Sequence, residues 1–251
     1  MTGTILAKHY GDYREFAVSE ALCPAVRCAW MHRAPESEPA ARIAVVPDGC
    51  VDLLWTEHGF LVAGPDRTAA FPALRPGETI LGLRFRPGAA RHLLRCDLDA
   101  LTGRIIALED IRPGGMNAGH ERLRAANGPL ERLRLLQELF AAKARDLPAI
   151  RPAATALHAL SARLPAETIA AEIGVTERTL RRISVAEFGY GPKTLGRVLR
   201  LQKLLGRIAG GTAPLAVLAA EAGFADQAHM NRDVLALTSL TPGEILRQIR
   251  G

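Results

Sequence analysis

Two stretches of this chain repeat one pattern, and that repeat constrains the fold more than any other feature. Gly174 to Pro192 spans 18 positions and Gly223 to Pro242 spans 19. A short apolar helix precedes each glycine, carried by Ile169, Ala170 and Ile173 in one copy and by Leu215, Val217, Leu218 and Ala219 in the other. Gly174 and Gly223 suit a left-handed C-cap, which other residues adopt only with strain. Thr176 then predicts an N-cap whose hydroxyl accepts from the Thr179 amide, and Asp226 is the matching candidate downstream. Leu180 and Ile183 face inward on the helix that follows, as do Met230, Val234 and Leu237 on its counterpart. Phe188-Gly189-Tyr190-Gly191-Pro192 closes the first unit and Thr241-Pro242-Gly243 the second. A long helix from Leu195 to Ile208 joins them.

A short helix, a glycine turn and a second helix make a helix-turn-helix unit. Its second helix can lie in the major groove, about 12 Å wide, where each base pair displays a distinct donor and acceptor pattern. The outward residues of the first such helix are Glu177, Arg178, Arg181 and Arg182, with the capping Thr176 a further DNA-binding candidate; those of the second are Gln227, Ala228, His229, Asn231 and Arg232. Arginine can bridge guanine O6 and N7 or hold a phosphate, while Gln and Asn pair bidentately with adenine. Two readers on one frame could address successive major-groove faces, roughly 34 Å apart. The competing reading is a helical bundle that binds another protein. Charge favours DNA: of a formal net +6, residues 151–251 hold 13 Lys and Arg against 8 Asp and Glu, whereas residues 1–150 hold 19 against 18.

The front of the chain reads differently. Ile43–Val46, Val51–Trp55, Phe60–Ala63 and Thr79–Phe85 are short apolar runs separated by turn chemistry such as Pro47-Asp48-Gly49 and Gly64-Pro65-Asp66. Strands at this spacing predict a small barrel or sandwich. Helical periodicity begins near Ala89, and a pair of helices breaks at Asn127-Gly128-Pro129. Their apolar stripe either packs on its own domain or forms a dimer contact. Asp146-Leu147-Pro148 predicts a linker into the helical third.

The stretch from Ile169-Ala170-Ala171-Glu172-Ile173-Gly174 through Thr176, Arg178, Arg182, Gly189 and Pro192, then Leu218-Ala219-Ala220-Glu221-Ala222-Gly223-Phe224 through Thr241 and Pro242, resembles the DNA-binding domain of the AraC/XylS regulators. The resemblance implies that Arg178, Arg181, Arg182, Gln227, His229, Asn231 and Arg232 face DNA. The chain departs from the usual pattern at Ser184, Met230 and Val234, where the family has Phe, and at Ser239, where it has Gly. Ser184 breaks the apolar interior, so the first reader is expected to contribute more phosphate grip than base choice. Pro47-Asp48-Gly49-Cys50-Val51-Asp52-Leu53-Leu54-Trp55, Ala63-Gly64-Pro65 and Phe85-Arg86-Pro87-Gly88 resemble the cupin-like N-terminal domain of one AraC-type subgroup, which implies a sensory or dimerisation role.

Other constellations are weaker. Cys23, Cys28 and His32 could mark a redox or metal site, but a second pair at zinc spacing is missing, and buried thiols explain them as well. The chain lacks a nucleophile elbow, a phosphate-cradling loop and a His-Glu-x-x-His pair, so no catalysis, cofactor or metal is expected. Trp30, Trp55, Phe60, Phe71 and Phe85 are core or the lining of an effector pocket, in which Arg84 and Arg86 could neutralise an acid. No apolar run approaches the roughly 18 residues of a membrane span. Neither export nor a membrane is therefore expected, which leaves the cytoplasm. The sequence thus predicts an α+β chain: a small cupin-like β-barrel domain over 1–112, a helical linker over 113–150 and an all-α DNA-binding domain over 151–251 with two helix-turn-helix units. Its expected partners are double-stranded DNA, a small-molecule effector and a second copy of the chain. The alternative is a β-domain enzyme or ligand-binding protein with a helical interaction module.

Overall fold

The computed structural model describes residues 4–37, 42–114, 116–144 and 148–250. The expected linker residues Asp146 and Leu147 lie outside them. The N-terminal part contains β1 (Thr4–Leu6), β2 (Asp12–Phe16), β3 (Val26–Arg33), β4 (Arg42–Ala44), β5 (Asp52–Thr56), β6 (Gly59–Ala63) and β7 (Thr79–Phe85), then α1 (Ala90–Leu94), β8 (Ile105–Ala107), α2 (Leu108–Ile111), α3 (Asn117–Ala125) and α4 (Pro129–Ala144). Six strands form an antiparallel sheet in the order β2-β3-β7-β5-β6-β8.

One sheet face carries Ala29, Met31, Leu53, Trp55, Leu81 and Leu83 into a core completed by Leu123, Leu133, Leu136 and Phe140. The helices α3 and α4, expected within a linker, therefore contribute to the first core, because their apolar stripe finds its partner on the sheet. On the other face Cys28, Trp30 and Leu54 make a smaller cluster. Gly82 stands opposite Trp30, and its missing Cβ leaves the room that the indole occupies. Arg84 on that face is nearly buried and donates twice to Asp52, at 2.8 and 3.0 Å, with Asp48 at 3.4 Å. Its charge is neutralised internally. Arg86 donates to the Cys23 carbonyl at 2.6 Å. The five expected aromatics do not line one pocket: Trp55, Phe60 and Phe85 join the main core, Trp30 the opposite face, and Phe71 lies beneath the Arg42 guanidinium.

The C-terminal part is α5 (Pro152–Leu160), α6 (Ala166–Glu172), α7 (Glu177–Phe188), α8 (Pro192–Gly210), α9 (Leu215–Ala222), α10 (Gln227–Thr238) and α11 (Pro242–Arg250) around a single core. The fold is α+β, with an antiparallel sheet domain followed by a helical one. Leu6 belongs to the helical core although it lies in β1, which pairs in parallel with β4. Gln248 ties that strand to α11: its Oε1 accepts from Leu6 N and its Nε2 donates to Thr4 O, both at 2.8 Å. Among the described residues no helix is long and apolar enough to cross a membrane.

Candidate nucleic-acid interface

The helix α6 ends at Glu172 with Ile173 as its cap, Gly174 turns the chain with φ +71°, and α7 starts at Glu177; α9, Gly223 (φ +94°) and α10 repeat the arrangement. Thr176 caps α7 by accepting from Thr179 N at 3.2 Å, and Asp226 caps α10 by accepting from His229 N at 2.6 Å. Each cap satisfies an amide that has no partner within its helix. From these caps onward, a residue in the first unit and the residue 50 positions later are equivalent: Thr176 and Asp226, Arg182 and Arg232, Pro192 and Pro242.

The expected DNA-facing residues divide by what they already touch. Arg178, Arg181 and Arg182 lie exposed around a shallow depression that also includes Thr179 and Val185. Gln227, Asn231 and Arg232 are exposed on the equivalent face of α10. Among the described residues, none of these four arginines has a carboxylate within 4.0 Å, whereas most other arginines of this domain are paired or bonded. An exposed cation without an internal partner keeps its full charge for a phosphate or a base edge. Thr176 spends its hydroxyl on the cap. His229 is half-buried: Nδ1 accepts from Ala225 N at 3.3 Å and Nε2 lies 3.3 Å from Asp233. Both ring nitrogens therefore face the protein.

Two buried carboxylates, Asp233 and Glu187, were not singled out from the sequence. Asp233 of α10 accepts from Arg197 Nε of α8 at 3.0 Å, with Arg200 at 3.7 Å, and so braces α10 against the central helix. Glu187 of α7, its side chain 0% exposed, meets Arg91 of α1 at 3.2 Å and Arg151 at 3.7 Å. A carboxylate within an otherwise apolar helix stripe was the available signal in both cases. Such a group stays buried only with partners.

Ser184 is fully buried, and its hydroxyl donates to the Tyr190 carbonyl at 2.7 Å. With Phe188 and Tyr190 themselves buried, the first unit closes around a satisfied polar group. The departure from an apolar interior thus leaves α7 capped and anchored like α10.

The sheet domain touches both α7 and α10 at their C-terminal ends. Thr102 Oγ1 donates to the Gly189 carbonyl at 2.8 Å and Arg67 reaches the same oxygen at 3.4 Å. Ala69 N donates to the Leu237 carbonyl at 2.7 Å. Beside these contacts is an open depression of about 450 Å³ lined by Asp66–Ala70, Asp99, Thr102 and Gly103. Burial raises the Asp66 carboxyl to about 6, helped by the charges of Asp48 and Asp52. Cys23 is exposed and Cys28 buried, while His32 Nε2 lies 2.6 Å from the Tyr10 carbonyl. Among the described residues no three His, Cys, Asp or Glu side chains gather as a metal site.

Residues 14–107 match a family described as a domain of unknown function (DUF6597). No curated protein matches the chain. Among solved structures, two of ToxT from Vibrio cholerae are 12% and 11% identical to it, each covering 89% of this chain and 98% of that one, with TM-scores of 0.48 and 0.47. A third, of ToxT bound to an unsaturated fatty acid, is 12% identical and covers 87% of this chain and 91% of that one, with a TM-score of 0.43. Residues 169–248, which contain both capped helices α7 and α10, match the family described as a helix-turn-helix domain.

Proposed function

We propose that this protein is a sequence-specific transcription regulator of the AraC type, reading duplex DNA with α7 and α10. The observation that carries the reading is the pair of equivalent, N-capped helices whose exposed arginines have, among the described residues, no carboxylate within 4.0 Å. Their reading residues lie in the N-terminal halves, while the sheet domain touches the C-terminal ends, so the contacting faces stay open. Arg178, Arg181 and Arg182 hold phosphate or guanine; Gln227, Asn231 and Arg232 supply base choice in the second groove segment. His229 and Thr176 act by shaping the start of their helices. The sheet domain serves as sensor or dimerisation unit, and the depression lined by Asp66 and Thr102 is where an effector would reach the readers.

Selection of bound fragments from genomic DNA should recover one sequence class, with affinity falling steeply as salt rises. Arg232→Ala should then lower discrimination at one base position by roughly 1–3 kcal/mol. Equal weakening on every duplex would reassign Arg232 to a phosphate, and an absence of any sequence preference would overturn the reading.

A further inference from the structure

The carbonyl groups gripped by the sheet domain belong to equivalent ends of the two readers: Leu237 is the counterpart of Glu187, and Gly189 follows Glu187 by two residues. Both ends meet one short stretch, in which Arg67 bonds Gly189 O and Ala69 bonds Leu237 O. Thr102 adds a second donor to Gly189 O. A helix end leaves carbonyls without intrahelical partners, so these donors act as C-terminal caps supplied by another domain. Gly189 shows how close the approach is: a Cβ there would strike Thr102 Oγ1 and Pro65.

From Pro65 to Ala69 the chain can extend at most about 14 Å, so the two ends are held near each other. Each reader has 12 residues and is therefore about 18 Å long, with its reading residues at the far end. A swing of about 10° at the gripped end moves the reading end by about 3 Å, close to the rise of one base pair, about 3.4 Å. The helix α8 and the shared core hold the inner faces of the units, and the loop opposes rotation at their tips.

We infer that Arg67, Ala69 and Thr102 are positioning residues that set the spacing between the two DNA segments the protein accepts. They do so without touching DNA, by clamping the C-terminal ends of α7 and α10. This inference rests on the two-reader function proposed above.

The test uses the full chain and the duplex it selects from random sequence, with the spacer between the two protected segments lengthened or shortened by one base pair. Fluorescence anisotropy at fixed salt should show the unaltered protein losing about tenfold in affinity for either change, the size of one mismatched pair. The double variant Thr102→Val with Arg67→Ala should bind the original spacing within about twofold and lose only about threefold on the altered ones. Arg67→Ala alone, which keeps the Thr102 bond, should fall between. Thermal melting identifies a variant that fails to fold, and the single variant then decides. A spacer profile parallel to that of the unaltered protein overturns the clamp and leaves the DNA reading intact. Failure of the unaltered chain to select any duplex overturns both.

Discussion

The two helix-turn-helix units have the same plan but take their rigidity from different parts of the molecule. The second is braced from within its own domain, through Asp233, Arg197 and Arg200. At the equivalent of Asp233 the first unit has Ile183, which packs against the core and supplies no charge. Its buried carboxylate is Glu187 instead, and one of the arginines that face it belongs to α1 of the sheet domain. The turns after the readers differ in the same sense. Gly189 is buried against Thr102 and Pro65 with φ +80°, whereas Ser239 is exposed with φ +59°. The first reader is therefore the one through which the sheet domain is best placed to act, and the second is the more autonomous.

The largest expected effect tests that asymmetry at Gly189. Gly189→Ala would place a side chain in the left-handed region and against Thr102 and Pro65 together. Backbone strain of about 1–2 kcal/mol and overpacking of similar size should together cost about 3 kcal/mol in denaturant unfolding. A loss below about 1 kcal/mol would mean that the sheet domain yields easily at this point, and the contrast between the units would weaken.

This contrast was only half visible in the sequence. Helix stripes, caps and glycine turns depend on neighbours within a few residues, so Thr176, Asp226, Gly174 and Gly223 could be placed from spacing alone. Strands β5, β6 and β7 were legible for the same reason, bounded by turn chemistry. The strands β2 and β3 were not: Val26–Arg33 is covered on both faces and shows no clean alternation. Nor could spacing tell whether the stripe of α3 and α4 faces a second copy or its own sheet, a question only tertiary packing answers. The exposed arginines and the engaged His229 look alike as letters. Only the positions of Asp233 and Ala225 separate them.

The brace of the second reader should respond next. Asp233→Ala removes the carboxylate that faces Arg197, Arg200 and His229 at once. Loss of one partner of a fully buried pair costs 3–5 kcal/mol, and Arg197 is partly exposed, so about 2 kcal/mol is expected here. Discrimination should fall at the bases read by α10 and hold at those read by α7. Equal loss at both segments would show that the brace serves the domain as a whole.

The sheet-domain loop that meets both units carries a smaller, pH-dependent cost. Burial raises the Asp66 carboxyl to about 6, above its ordinary value near 3.9. The folded state then holds more protons than the unfolded one between about pH 4 and 6, so the contribution of this group to stability falls as pH rises through that window. Asp66→Asn should therefore stabilise the protein at pH 7.5 by about 1 kcal/mol, after allowance for its partial exposure, and give no gain at pH 4. An equal gain at both values would trace the effect to packing and not to ionisation.

The smallest expected effect returns to the turn, with opposite sign. Ser239 occupies the left-handed region that its counterpart Gly189 enters without cost; its side chain is exposed, and its N–H closes α10 onto the Leu235 carbonyl, a bond that glycine keeps. Ser239→Gly relieves about 1 kcal/mol of backbone strain and gives back part of it in unfolded-state entropy, for a net gain of about 0.5 kcal/mol. Alanine at 189 adds a Cβ and glycine at 239 removes one, together with its exposed hydroxyl, so the two exchanges run in opposite directions on equivalent positions. If the difference between them were backbone conformation alone, the two changes would be equal in size. Because Gly189 also admits the sheet domain, its loss should exceed the gain at Ser239 several-fold, and paired denaturation curves would measure that excess as the share owed to contact between domains.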